Sequence, residues 1–365
     1  MKQKAHAWIT LRALKLIDDS NKRNTKKFVE FMSYYLSDVW DGAWLPDSLI
    51  KDMKYGHIYK MDNTNAFIPK IEEETFYQVM YPELKKRVSG KRLGLEYSKD
   101  CEELEKPYVN FEDGGNLPDR VLALNNSIAD MLKMGDYPIR FYLKKKPSEM
   151  DLTADLCYQP IKNLSQSPNF SARQIALTFF IVSHYISDGH MPLHCDLRDM
   201  DADIGNGNLV RRLPAAIHKG IEEVWEDYFP DKETLTIHDY TPESISTVVS
   251  SLPGDSIIEL DKAGSKYAVS NKFTVTMPNE FCEMDNICRI SFAVSRKWIP
   301  QSFEEIEAKI GKDKCKKEAS ALKHADLVSI IGEEEFRDVT NRIFHDAVEA
   351  VARIWLKAWN QFLED

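Results

Sequence analysis

Apolar residues recur at intervals of three and four positions along much of the chain, which is the period of an amphipathic α-helix. The longest such run lies near the end of the sequence and includes Phe336, Ile343 and Trp355. The most apolar run is followed by Pro192, which cannot continue a helix. The period predicts two helices within 6–37 and single helices over 118–143, 170–190, 213–228 and 333–363.

Strand signals are few and short, as in 272–277. The segment 38–62 contains Gly42, Pro46 and Gly56 and shows no sustained period, so it is interpreted as irregular chain with short turns. The whole chain has 15 Gly and 16 Pro, too few for a turn-rich β-sandwich of this length. The predicted fold class is therefore all-α.

Composition and charge further restrict the kinds of protein that this chain can be. The 365 residues are 43% hydrophobic and carry a formal net charge of −10. This acidity excludes retention on nucleic acid by overall charge, although bound metal cations can still hold a phosphate group locally. No stretch approaches the roughly 20 apolar residues that a membrane span needs, so no transmembrane segment is expected. The amphipathic start does not read as a signal peptide, which favours a cytoplasmic protein or the processed form of a secreted one.

The six cysteines include no CxxC pair, and free thiols are favoured over disulfides. The histidines are more informative, because three of the nine fall within eleven residues at the end of the most apolar run. On a helix, His184 and Asp188 are four apart and share a face, with Cβ atoms about 5–6 Å apart. That spacing suits two ligands of one metal ion. Pro192 then ends the helix, so His194 can turn toward a second ion.

The i, i+4 pairing of His with a carboxylate is weak evidence when taken alone. His218 and Glu222 repeat it, and so do His345 and Glu349, which we interpret as a pair on a helix surface. The compact run with three His, one Asp and a helix-ending Pro carries the case for metal. We expect His190, inside that run, to be a hydrogen-bond donor outside the ligand set. The alternative is a set of hydrogen-bonded polar core residues.

The run from His184 to His194, followed by His218 and Glu222, resembles the signature of the zinc-dependent phospholipase C and single-strand-specific nuclease superfamily. The resemblance covers about 6–60 and 171–228. Three further segments carry it: the residues around His6 and Trp8, Asp47 with His57 ten residues on, and the glycine-asparagine stretch 203–208.

By resemblance, the chain binds three zinc ions through residues that it shares with the family pattern. Met1 stands where the family usually has Trp, but its amine and carbonyl oxygen are backbone groups that can serve if the residue is unprocessed and unblocked. The implied ligands are Asp47, His57, His184 and Asp188 for the first ion, His194, His218 and Glu222 for the second, and Met1, His6 and the shared Asp188 for the third.

The resemblance also implies a fold and an organisation. The fold is a multi-helix, phospholipase C/nuclease-like one with the zinc cluster at the base of a cleft. Residues 1–230 form the catalytic domain, with 61–170 as an insertion. Residues 231–365 form a C-terminal helical region that packs on the same core.

The implied activity is zinc-dependent hydrolysis of a phosphodiester. Zinc neutralises the phosphate and lowers the pKa of a coordinated water toward about 7. Asp188 spans two ions and Asp47 orients or deprotonates the attacking water, so these two are the implied catalytic residues.

The substrate is less closely defined. Glu222 and the pair His6 and Trp8 favour a phospholipase C acting on the glycerol–phosphate bond of a phospholipid, with transient contact to a membrane surface. The Met1–His6 spacing and the 24-residue gap from His194 to His218 favour a nuclease/3′-nucleotidase acting on single-stranded nucleic acid. A non-catalytic zinc-binding helical protein is the third alternative.

Overall fold

A computed structural model describes residues 1–20, 23–50, 57–61, 91–92, 95–96, 117–134, 172–200, 202–203, 209–229 and 279–364. Within these ranges the structure is mostly helical, so the all-α class is confirmed. The α-helices are α1 (Gln3–Asp19), α2 (Arg23–Ser33), α3 (Val39–Gly42), α4 (Leu117–Met134), α5 (Ala172–Gly189), α6 (Ala215–Glu226), α7 (Glu280–Trp298), α8 (Phe303–Ile310), α9 (His324–Ile331) and α10 (Glu333–Glu364).

Short turns and strands complete the described chain. Single 3₁₀ turns lie at Leu36–Asp38, Pro192–His194, Leu197–Asp199 and Lys312–Cys315, and a π-type turn lies at Pro46–Ile50. Two antiparallel pairs of two-residue strands are present: β1 (Lys91–Arg92) with β2 (Leu95–Glu96), and β3 (Ala202–Asp203) with β4 (Leu209–Val210).

The helical period located the long helices well. Helices α5, α6 and α10 begin and end within two residues of their predicted bounds, and α1 begins three residues before its predicted range. Helix α4 ends at Met134, and 135–143 of that prediction lie outside the described residues, as does the strand candidate 272–277. The expected irregular segment 38–62 contains α3 and the Pro46–Ile50 turn.

Helices α7 to α9 were not predicted individually, although α7 carries clear local signals. Asn279 lies before its first turn and accepts a hydrogen bond from the Cys282 amide at 2.9 Å, which is an N-cap. The first turn contains Glu280 and Glu283, and the last contains basic residues, as the helix dipole favours. The cap and the charges at its two ends are local sequence signals of this helix.

The two ends of the chain share one hydrophobic core. Helix α10 packs along α1, α4 and α5. The Trp355 indole donates a hydrogen bond to the Phe179 carbonyl at 2.8 Å, and Trp8 on α1 lies edge-on to Phe344 with 5.7 Å between ring centroids. Helix α10 therefore holds together the two helices, α1 and α5, on which several of the candidate ligands lie.

Two further expectations concern the membrane and the thiols. In the described part of the chain, no helix is long and apolar enough to span a bilayer. Cys195, Cys282, Cys288 and Cys315 are free thiols. Cys101 and Cys157 lie outside the described residues.

We expect Gly220→Ala to destabilise the protein by about 1–3 kcal/mol, through overpacking. A Cβ atom at Gly220 on α6 would lie 2.6 Å from the Leu322 carbonyl oxygen and 2.8 Å from the Leu322 amide nitrogen, which are backbone atoms that cannot rotate away. This clash outweighs the roughly 1 kcal/mol that Ala gains over Gly in helix propensity. Urea unfolding measures the change.

The matched control is Lys219→Ala, an exposed change on the same helix. It should alter the free energy of unfolding by no more than about 0.5 kcal/mol. An unchanged or increased stability of Gly220→Ala would contradict the close packing of α6 on Leu322.

Candidate metal centre

Asp188 lies at the centre of the candidate site. It is near the end of α5, one turn after His184, and its side chain is 2% exposed. Its Oδ2 atom is 3.1 Å from His184 Nε2 and 2.9 Å from His57 Nδ1. Its Oδ1 atom is 3.1 Å from the Met1 amine and 3.4 Å from His194 Nδ1. One carboxylate thus contacts two histidines close to it in the sequence, His184 and His194, and two groups far from it, Met1 and His57.

The first group of candidate ligands combines Asp188 with Asp47, His57 and His184. The Ala43 carbonyl can only accept a hydrogen bond, so His184 Nδ1 donates to it, at 2.8 Å. This leaves the lone pair of His184 Nε2 directed into the site, 3.1 Å from His57 Nδ1 and 3.9 Å from Asp47 Oδ1. Asp47 is the most exposed of the four, with a third of its side chain accessible from the cleft.

The second group comprises His194, His218 and Glu222. Glu222 Oε1 lies 3.7 Å from His194 Nε2 and 3.3 Å from His218 Nε2. Helix α6 contributes His218 and Glu222, one turn apart, whereas His194 comes from the turn that follows α5. That turn is held in place by the segment 57–61, because the Tyr59 amide donates to the His194 carbonyl at 3.1 Å.

The third group comprises Met1, His6 and Asp188. The His6 ring stacks on His184 with 4.0 Å between centroids, and His6 Nε2 lies 3.5 Å from Asp188 Oδ1. The Met1 amine is fully buried between Asp188 and Glu222, at 3.1 Å and 3.0 Å. All nine residues singled out from the sequence thus lie close together, and all but the fully buried His6 and His184 line one cleft; their roles as ligands stay a prediction.

Several of these ring nitrogens are buried without a hydrogen bond to any described residue. They are both nitrogens of His6, Nδ1 of His194 and Nε2 of His218. Burying a polar nitrogen without a partner costs free energy, so such atoms need an explanation. Neutral imidazole nitrogens together with carboxylate oxygens are the donor set of zinc. The described residues form three such clusters here and a fourth on α10 (His345, Asp346 and Glu349), and the ligand atoms of each cluster lie within 4.8 Å of one another. The residues present therefore fit the metal that the sequence implies.

The pKa values reflect the same environment. Burial lowers the pKa of His194 to about 4 and that of His6 well below 6.5, so both are neutral, the form that binds metal. Burial opposes the charged amine of Met1, but the negative charges of Asp188 and Glu222 outweigh it and raise the pKa to about 11. In the metal-free site this ammonium supplies positive charge to the carboxylates.

Asp199 is a site residue that the sequence analysis missed. It accepts a hydrogen bond from His218 Nδ1 at 2.7 Å, which leaves Nε2 of that ring facing Glu222. Lys60, 3.5 Å away, and Arg211 both pair with Asp199. Asp199 follows the histidine run by five residues, and no local spacing relates it to His218. It orients a candidate ligand from outside the ligand set, as carboxylates often do in metal sites.

His190 and His345 show why histidine spacing alone is insufficient. His190, the residue after α5, donates from Nδ1 to the Ile186 carbonyl in the last turn of that helix at 2.7 Å. The expectation that His345 and Glu349 form a surface pair is wrong, because both are 3% exposed. Helix α10 is packed on nearly all sides there. Glu349 accepts a hydrogen bond from Arg353, whose positive charge disfavours a cation bound among His345, Asp346 and Glu349.

The cleft above the candidate ligands has a volume of about 730 Å³. Its lining combines the carboxylates and histidines with basic side chains and an indole. The lining residues other than the candidate ligands are Lys2, Gln3, Trp44, Ile58, Lys60, Asp199, Arg211 and Glu226.

Comparison with known proteins identifies no family for this chain. No family model matches the chain, and no curated protein or solved structure matches it significantly.

We expect Asp199→Asn to lower the pKa of His218 in the metal-free protein. Burial lowers that pKa, but the negative charges of Asp199 and Glu222 outweigh burial and raise it from 6.5 to about 9. A raised folded-state pKa contributes stability that is present below pH 6.5 and is lost as the pH rises through 9. Asp199→Asn should lose the part of this stabilising free energy that comes from Asp199. NMR titration of the His218 ring and unfolding between pH 6 and 10 measure both effects.

The control is Asp130→Asn, an exposed change on α4 with the same loss of charge. It should leave the His218 titration unchanged. A His218 pKa that stayed near 9 in Asp199→Asn would contradict the orienting role of Asp199.

Proposed function

We propose that this chain is a zinc-dependent phosphodiester hydrolase of the phospholipase C type. The observation that carries the proposal is the convergence on Asp188. Nine candidate ligands lie close together, and seven of them line one cleft. They come from the start of the chain with α1, the Pro46–Ile50 turn, the segment 57–61, α5 with its following turn, and α6. Polar residues that only stabilise a core have no need of three adjacent donor sets with unsatisfied ring nitrogens.

The resemblance assigns three zinc ions, and the donor groups support that number. Asp47, His57, His184 and Asp188 would hold the first ion, and His194, His218 and Glu222 the second. The third would take His6, Asp188 and the amine of Met1, which must lose its proton to bind metal. Bound zinc supplies positive charge for the phosphate and acidifies water at neutral pH.

The chain's own residues have separable tasks in this proposal. Asp188 is buried and within 3.5 Å of groups from all three donor sets, so it holds their separation. Asp47 lines the cleft with a third of its side chain accessible, so its carboxylate can orient a water molecule there. Lys60 and Arg211 line the same cleft and neutralise Asp199, which limits the repulsion of an anionic substrate.

An open coordination position favours an enzyme over a structural zinc protein. Structural sites are closed by four protein ligands, whereas the second group has three. A metal ion held by these three residues, which line the cleft, would have a position left for water or substrate. The choice of phospholipid rests on Glu222 and on the residues around His6, and the chain spacings that favour single-stranded nucleic acid keep a nuclease as the second candidate.

We expect the zinc-loaded protein to hold three zinc ions per chain and to release phosphorylated head group from phosphatidylcholine micelles. Asp188→Asn should reduce both the zinc content and the rate. The loss of rate should exceed the roughly 10–100-fold that changes outside a ligand set produce, because Asp188 contacts every donor set. Elemental analysis and a head-group release assay measure the two quantities.

Asp130→Asn serves as the control and should retain three zinc ions and full activity. A parallel assay follows nucleotide release from single-stranded DNA. Nucleotide release without head-group release would move the protein to the nuclease alternative. Zinc retention with neither product would refute the catalytic proposal and support a non-catalytic zinc-binding protein.

A further inference from the structure

Helix α6 holds the start of α1 at two points. Glu222 Oε1 is 3.0 Å from the Met1 amine, and Glu226, one turn further along α6, contacts the α1 backbone. Both carboxylate oxygens of Glu226 accept from the Lys4 amide at 3.0 Å, and one also accepts from the Ala5 amide at 3.2 Å. Glu226 belongs to none of the three candidate ligand groups.

The start of α1 has no cap of its own. The first amides of a helix lack partners within the helix and are usually satisfied by a nearby side chain. Lys2, at the N-cap position, makes no capping hydrogen bond, and the first turn contains no acidic residue. Glu226 supplies from another helix both the missing acceptor and the negative charge that the positive end of the helix dipole favours.

The capped amides lie directly beside candidate ligands. Ala5 precedes His6, and Lys4 lies three residues after Met1. A shift of this first turn would move both the His6 ring, now 3.5 Å from Asp188, and the Met1 amine, now 3.1 Å from it. Met1, just before α1, and His6, on its first turns, belong to the third donor set. The ligands of the other two sets come from other elements.

We propose that Glu226 is a positioning residue for the third metal, because it fixes the turn of α1 that presents Met1 and His6. This inference rests on the proposed function, in which the site binds zinc. Loss of Glu226 should therefore weaken one of the three metal sites and leave the other two unchanged. A helix cap that served stability alone would have no such selectivity.

The experiment is a zinc titration of the full chain by competition with a chromophoric chelator. The variants are Glu226→Ala and Glu226→Gln, with Glu223→Gln as the matched control. Glu223 lies on the same helix and is half exposed, and its carboxylate accepts a hydrogen bond from the Lys2 side chain at 3.3 Å. The control makes the same change of charge without touching the α1 amides.

We expect the wild type and Glu223→Gln to bind three zinc ions with the same affinities. Glu226→Ala should keep two ions at unchanged affinity and bind the third about 10–100-fold more weakly. Glu226→Gln should fall between them, because it retains one acceptor oxygen and loses the charge. Hydrogen exchange at the Lys4 and Ala5 amides of the zinc-loaded protein should accelerate in the order wild type, Gln, Ala.

The outcomes separate this inference from the proposed function. A wild type that binds no zinc refutes the proposed function. A wild type with three ions, together with a Glu226→Ala variant whose third site is unchanged, overturns the positioning role alone. Equal weakening of all three sites in both Glu226 variants also overturns it, because that pattern indicates general destabilisation.

Discussion

The buried carboxylate of Asp188 is the constraint on which the site depends. An anion removed from water is stable only when positive charge and hydrogen-bond donors surround it. Burial by itself would raise the pKa of Asp188, but the Met1 amine and the histidines His184 and His194 outweigh it and lower that pKa well below 3.8. These interactions bring Met1 close to the end of α5 and the turn that follows it. The cleft lies above these groups.

This convergence is possible because the scaffold behind it is well packed. Helix α10 is buried along most of its length and fixes α1 and α5 through aromatic contacts. A polar contact joins the same two helices close to the site, where Thr10 Oγ1 and Ser183 Oγ lie 2.7 Å apart. Ligands placed on helices held in this way are more closely defined than ligands on loops.

The candidate ligands are in turn held by groups that are not ligands. The Ala43 carbonyl orients His184, Asp199 orients His218, and Glu226 holds the turn that precedes His6. Each acts on a different donor set, so the geometry of each set has its own support. Such partners determine which ring nitrogen is free to bind a metal, and metal affinity depends on them.

The amino-acid sequence by itself determined the long helices and the i, i+4 pairs, because helical period and spacing along a helix are local properties. The pairs His184/Asp188 and His218/Glu222 could therefore be recognised from spacing. Met1, His6, Asp47 and His57 were assigned as candidate ligands only by the family resemblance. Only the tertiary structure decided that Asp199 contacts His218, that Glu226 contacts the start of α1 and that His345 is buried. Those facts depend on contacts between separate elements of the chain, where packing rather than local sequence determines which side chains meet.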